Sequence, residues 1–178
     1  MKNLFVFAAL LVLFVFTASA QQTKTETKPL APTFSGITLD GKTINSGALK
    51  GKILVLNLWF INCPNCIQEI KLLNEVVDTY KDNKDVIFVG LASNAKPELE
   101  KFLVKNPFKF QIIPNAGAFS LFRFGTPNKK GNYDLGFPTH VVVDREGKIA
   151  LQIEGIKGVE AVKNELKKLL ETKETTAK

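Results

Sequence analysis

The chain has 178 residues, 45% of them hydrophobic and 23% charged, with a formal net charge of +7 and two cysteines. That length suits one domain with a core large enough to need no disulfide staple. The basic excess is nearly all lysine, with Arg123 and Arg145 the only arginines, and it is spread along the whole chain. A nucleic-acid binder concentrates such charge on one stripe, so nucleic acid is excluded as a partner.

Residues 1–20, MKNLFVFAALLVLFVFTASA, place Lys2 before an apolar stretch at 4–16 and close on Ala18-Ser19-Ala20. This is the layout of a secretory signal peptide. As a helix the stretch would rise only about 20 Å, short of the roughly 30 Å hydrocarbon core. The reading is cleavage after Ala20 and export, periplasmic or otherwise, as a soluble protein. Residues 21–30 read as a flexible lead-in, 31–172 as one domain and 173–178 as a charged tail.

Two short alternating runs flank Asp40-Gly41 and predict a hairpin, the pair suiting the positive φ of a type I′ turn. Residues 46–50 read as one helical turn. The run ILVLNLW at 53–59 is apolar except for Asn57, as in a central strand covered on both faces. From 64 to 81, Ile67, Ile70, Leu72, Leu73, Val76 and Val77 recur at helical spacing. A second buried strand follows at 86–92, then a helix at 97–105 opening on Pro97, a strand at 108–114 and a short helix at 116–124. Residues 125–136 read as a polar loop. THVVVD and KIALQIE form a closing hairpin, and 159–170 a last amphipathic helix. The order indicates an α/β domain: a central mixed β-sheet flanked by helices, with an N-terminal β-hairpin.

Cys63 and Cys66 stand where the first buried strand gives way to the first long helix. Pro64 suits the opening helical position, which leaves Cys63 among unpaired N–H groups at the positive end of the helix dipole. A thiolate is favoured there, and the thiolate is the nucleophile. Cys63 is therefore the attacking thiol; Cys66, one turn in and more shielded, is the resolving one. A zinc site needs four ligands, and beside the two cysteines the chain has one histidine, His140. A purely structural bridge over so short a loop removes little chain entropy. Thiol-disulfide exchange is the reading these residues favour.

The surrounding residues resemble the exported TlpA/ResA-type branch of the thioredoxin superfamily. Its pattern is met by Asp40-Gly41, Leu49-Lys50-Gly51-Lys52, Asn57-Leu58-Trp59, the Cys63 to Cys66 motif, Glu69 and Gly136-Phe137-Pro138-Thr139, over about residues 30–171. The resemblance implies a thioredoxin-like fold and a protein thiol-disulfide oxidoreductase with Cys63 and Cys66 as its redox pair and no cofactor or metal. It implies a cis-proline at Pro138 facing the disulfide, with Phe137 and Thr139 beside it in a substrate groove and Trp59 flanking the site. Glu69 shares a helix face with Cys66 and would relay its proton. Two positions depart from the pattern: Asn62 replaces a tryptophan before the first cysteine, and Lys71 replaces a proline after the glutamate.

Asn65 adds no positive charge beside Cys63, and an ionised Glu69 would oppose thiolate formation, so the pair is read as reducing. A reductase in an oxidising compartment needs re-reduction. The partners implied are disulfide-containing exported proteins, such as cytochrome c apoproteins, and a membrane-bound electron donor; the protein is read as a monomer. A copper(I) delivery protein using Cys63, Cys66 and His140 is one alternative, since thiolate and imidazole suit that ion. A non-catalytic thioredoxin-like binding module is another. A peroxidase lacks its Thr-x-x-Cys signature.

Overall fold

The computed structural model describes residues 28–176. The signal peptide, the lead-in up to residue 27 and the last two residues of the tail lie outside the described residues. Five strands make the central sheet in the order β5-β4-β3-β8-β9. They are β3 (Ile53–Trp59), β4 (Val86–Ala92), β5 (Gln111–Ile113), β8 (Thr139–Val143) and β9 (Ile149–Glu154). β3 pairs parallel with β4 and antiparallel with β8, so the sheet is mixed, as expected. The helices are α1 (Pro64–Tyr80), α2 (Lys96–Leu103), α3 (Gly117–Phe124) and α4 (Gly158–Thr176).

All seven residues of β3 are buried. Strand side chains alternate, so two cores form. Ile53, Val55 and Trp59 face a cluster with Leu73 and Val76 of α1 and Val159, Val162 and Leu166 of α4. Leu54, Leu56 and Leu58 face another with Phe124 of α3 and Ile44. By this alternation Asn57 lies on the first face, beneath α1. Val142 of β8 belongs to that same cluster, so His140, two residues before it, shares the face. The register sets Asn57 directly opposite His140.

Four elements differ from the sequence reading. The N-terminal hairpin, β1 (Ser35–Ile37) with β2 (Thr43–Asn45), turns through a longer loop than a type I′ turn. The Thr38 N–H donates to the Lys42 carbonyl at 2.9 Å and the Gly41 N–H to the Thr38 carbonyl at 3.0 Å. Gly41 has φ 82, while Asp40 keeps an ordinary negative φ. One left-handed glycine closing a three-residue loop is the next commonest hairpin solution. The polar loop at 125–136 contains a small ribbon, β6 (Thr126–Pro127) with β7 (Tyr133–Asp134). The Asn128 side chain organises it, accepting the Lys130 and Asn132 N–H groups at 3.0 Å each. α4 continues to Thr176, through most of the residues read as tail. The buried stripe of α1 is also rotated: Cys66 and Glu69 join Ile70, Leu73 and Val76 inside, while Leu72 is exposed.

Candidate active site

Cys63 is the N-cap of α1, with extended backbone (φ −95°, ψ 106°), and Pro64 follows in the first turn. Its Sγ accepts the Cys66 N–H at 3.2 Å, one of the donors a helix start leaves without a carbonyl partner. The two cysteines form a disulfide, with S–S 2.12 Å and Cα–Cα 5.2 Å. The expected contrast in shielding is slight in this oxidised state, since Cys63 is 4% exposed and Cys66 2%. Both belong to the α1-side cluster, against which Phe60, Ile61 and Phe137 pack. Only Pro64 and Asn65 between them are exposed.

The Phe137–Pro138 peptide bond is cis. The loop that carries it is anchored on both sides. The Gly155 N–H donates to the Pro138 carbonyl at 2.8 Å, the Thr139 hydroxyl donates to the Gly136 carbonyl at 2.5 Å, and the Gly136 N–H donates to Glu154 Oε1 at 2.9 Å. The Phe137 ring, half-buried, stands edge-on to Phe60 with centroids 5.2 Å apart. Thr139 is wholly buried, so its side chain holds the loop and does not line a groove. Trp59 differs from expectation in the same way. It has no exposed surface and packs against Phe102 and Phe108, with ring centroids 5.8 and 5.5 Å away. It supports the site from within the core, because the last residue of β3 points under α1.

Glu69 is fully buried. It sits one turn after Cys66 on the same face of α1. The Asn57 amide donates to Glu69 Oε1 at 2.8 Å, and His140 Nε2 lies 3.1 Å from Glu69 Oε2. The ring's other nitrogen, Nδ1, is 3.4 Å from Asn57 Nδ2. Both imidazole nitrogens thus face Asn57 and Glu69, which leaves the copper reading without its third ligand. Among the described residues, no group of three or more His, Cys, Asp or Glu side chains could hold a metal ion. From sequence alone, Asn57 reads as part of a motif and His140 as a copper ligand. That reading does not join them to Glu69, although a single amide in an otherwise apolar strand signals a buried polar partner.

The AhpC/TSA family model matches residues 27–152. The chain belongs to that family. It is 30% identical over 140 residues to "Thiol-disulfide oxidoreductase ResA" of Bacillus thuringiensis (strain Al Hakam), covering 78% of this chain and 76% of that protein. The protein of the same name from Bacillus cereus (strain ATCC 10987) is 27% identical over 150 residues, covering 84% and 82%. Among solved structures, a thiol:disulfide interchange protein of the thioredoxin family from Chlorobium tepidum TLS superposes with a TM-score of 0.66 at 28% identity, over 80% of this chain and 97% of that one. Family, fold and a cysteine pair closed at the mouth of α1 make this chain a thiol-disulfide oxidoreductase of the ResA kind.

Proposed function

We propose that the protein is an exported reductase of protein disulfides. In the reduced form Cys63, at the N-terminus of α1, attacks one sulfur of a substrate disulfide. An extended substrate segment lies along Phe137 and Pro138, and Trp59 and Thr139 hold that surface from beneath. Cys66 then displaces the substrate from Cys63, while Glu69 takes the Cys66 proton. The observation that carries this reading is the buried carboxylate on the Cys66 face of α1. A catalyst of exchange needs a base at its shielded thiol; a structural bridge does not.

The reducing direction is supported by the charges. Only the neutral Pro64-Asn65 pair separates the cysteines, and the acidic group lies one turn further along. An anion near the sulfurs disfavours thiolates and so disfavours the reduced form, which makes the dithiol the better electron donor. Export is supported by the pattern of residues 1–20 and by a disulfide that an oxidising compartment would sustain. No helix of the described residues is long and apolar enough to cross a membrane. A membrane-bound donor would return electrons to the oxidised monomer.

The test is a trapping experiment. Reduced Cys66→Ser protein mixed with a disulfide-bonded protein substrate should accumulate a mixed disulfide through Cys63, and Cys63→Ser should accumulate none. Failure of the wild-type dithiol to reduce any protein disulfide would sink the reading.

A further inference from the structure

If Cys63 and Cys66 exchange disulfides, the resolving step needs a base behind Cys66, and a role for His140 there rests on that exchange reading. A carboxylate sealed from water serves as a base only if its surroundings keep it from holding a proton of its own. The two side chains around Glu69, Asn57 and His140, settle how that is done.

An amide nitrogen carries two hydrogens and accepts none. Asn57 Nδ2 lies 2.8 Å from Glu69 Oε1 and 3.4 Å from His140 Nδ1, so it donates to both. His140 Nδ1 is then an acceptor, which puts the ring proton on Nε2, 3.1 Å from Glu69 Oε2. Each carboxylate oxygen receives one donor, and the ring of contacts closes without conflict. The other tautomer would set an N–H against the Asn57 NH2 group. A flipped amide would set its oxygen against the carboxylate.

The start of α4 holds the imidazole in place. A Cβ at Gly158 would stand 2.1 Å from His140 Cδ2 and 2.8 Å from Nε2, so only glycine lets the helix lie against the ring. The start of α4 therefore abuts the imidazole and fixes the plane in which its nitrogens meet Asn57 and Glu69. The remaining neighbours do not compete. From β9, Ile153 is paired with His140, and Glu154 is occupied by the Gly136 N–H. From α4, Val159 and Val162 are apolar, while Glu160 and Lys163 pair with each other at 3.9 Å toward solvent. From α1, the titratable groups on this face are Cys66 and Glu69.

We propose that His140 is the positioning residue that, together with Asn57, orients the Glu69 carboxylate behind Cys66, so that this carboxylate accepts the resolving thiol's proton. In the mixed disulfide, the Cys66 proton passes to Glu69. The Cys66 thiolate attacks Cys63 Sγ, the Cys63–Cys66 bond forms and the bond from Cys63 to the substrate sulfur breaks. The departing substrate thiolate takes up a proton from Glu69 or water. Over the whole cycle two electrons leave the dithiol, and the substrate disulfide ends as two thiols.

The test tracks the resolving step from pH 6 to 9, with the reduced protein and oxidised glutathione as probe. His140→Leu should resolve about tenfold more slowly than wild type at pH 7, the loss expected for one hydrogen bond to a charged group. The deficit should narrow toward pH 9, where solvent hydroxide increasingly replaces Glu69 as the base. His140→Gln, which can donate in place of Nε2, should restore most of the rate. A deficit of equal size at every pH, or none, overturns the inference. A wild-type protein that exchanges with no disulfide at all sinks the exchange reading itself. A second measurement needs no variant to fold. His140 is the chain's one histidine, so its imidazole 15N signals are unambiguous. They should report the ring proton on Nε2 with Nδ1 bare; a proton on Nδ1 contradicts the assignment.

Discussion

Asn57, Glu69 and His140 are three polar side chains, each at most 1% exposed, in a domain that otherwise buries aliphatic and aromatic groups on that face. Such a network contributes little net stability when intact, yet removing one member strands the others. Asn57→Leu should therefore destabilise the oxidised protein by about 3 kcal/mol in urea unfolding, although leucine matches the rest of the strand. Replacing all three residues together by leucine or methionine should recover most of that loss, since no charge is left unpartnered. Exchange activity should stay low in the triple variant. If the triple variant is as unstable as the single one, the network is a determinant of the fold and its retention says nothing about chemistry.

At the scale of elements, the N-terminal hairpin holds a carboxyl whose titration the fold displaces. Its Asp40 carboxyl is lowered from 3.8 to about 2, first by the hydrogen bond from Lys42 and then by the one from the Thr38 hydroxyl. A carboxyl with a lowered folded-state pKa stabilises the fold above its unfolded value, here about 4, and loses that contribution as pH falls through about 2. Asp40 is solvent-exposed, so the effect on global stability is small. Lys42→Ala should move the Asp40 midpoint, followed by carboxyl 13C NMR, back toward 3.8; an unmoved midpoint would shift the cause to Thr38. This element also shows what sequence can and cannot convey. Asp40-Gly41 announced a hairpin, but the loop length depends on Thr38 bonding Lys42 across it, a contact that no spacing encodes. The strand at 53–59 and the helix after Cys63 were legible because continuous apolar burial and a proline-opened helix leave plain marks. The ribbon in 125–136 left none, as a side-chain amide holds it and an apolar face does not. At the site, the cysteines, Glu69 and Pro138 could be named from their order in the chain. The burial of Trp59 and Thr139, and the meeting of Glu69 with His140, are products of packing α1 over a sheet whose register pairs Asn57 with a residue 83 positions away.

At the scale of the whole molecule, one sheet gathers groups from distant parts of the sequence. β3 delivers Asn57 and leads into Cys63, α1 carries Cys66 and Glu69, and the start of β8 brings cis-Pro138 and His140. The arrangement places a thiol at a helix mouth in front and a carboxylate behind, with an imidazole locking the carboxylate from the far side. On the proposed reading the front favours attack, and an ionised carboxylate behind would favour giving electrons away. Whether the Cys63–Cys66 pair is a reductant is decided by its reduction potential. Equilibration in dithiothreitol or glutathione buffers should return a value below about −220 mV, nearer that of thioredoxin. A value near about −120 mV, as in a strongly oxidising pair, would mean that the helix mouth outweighs the buried carboxylate and that the protein makes disulfides instead of breaking them.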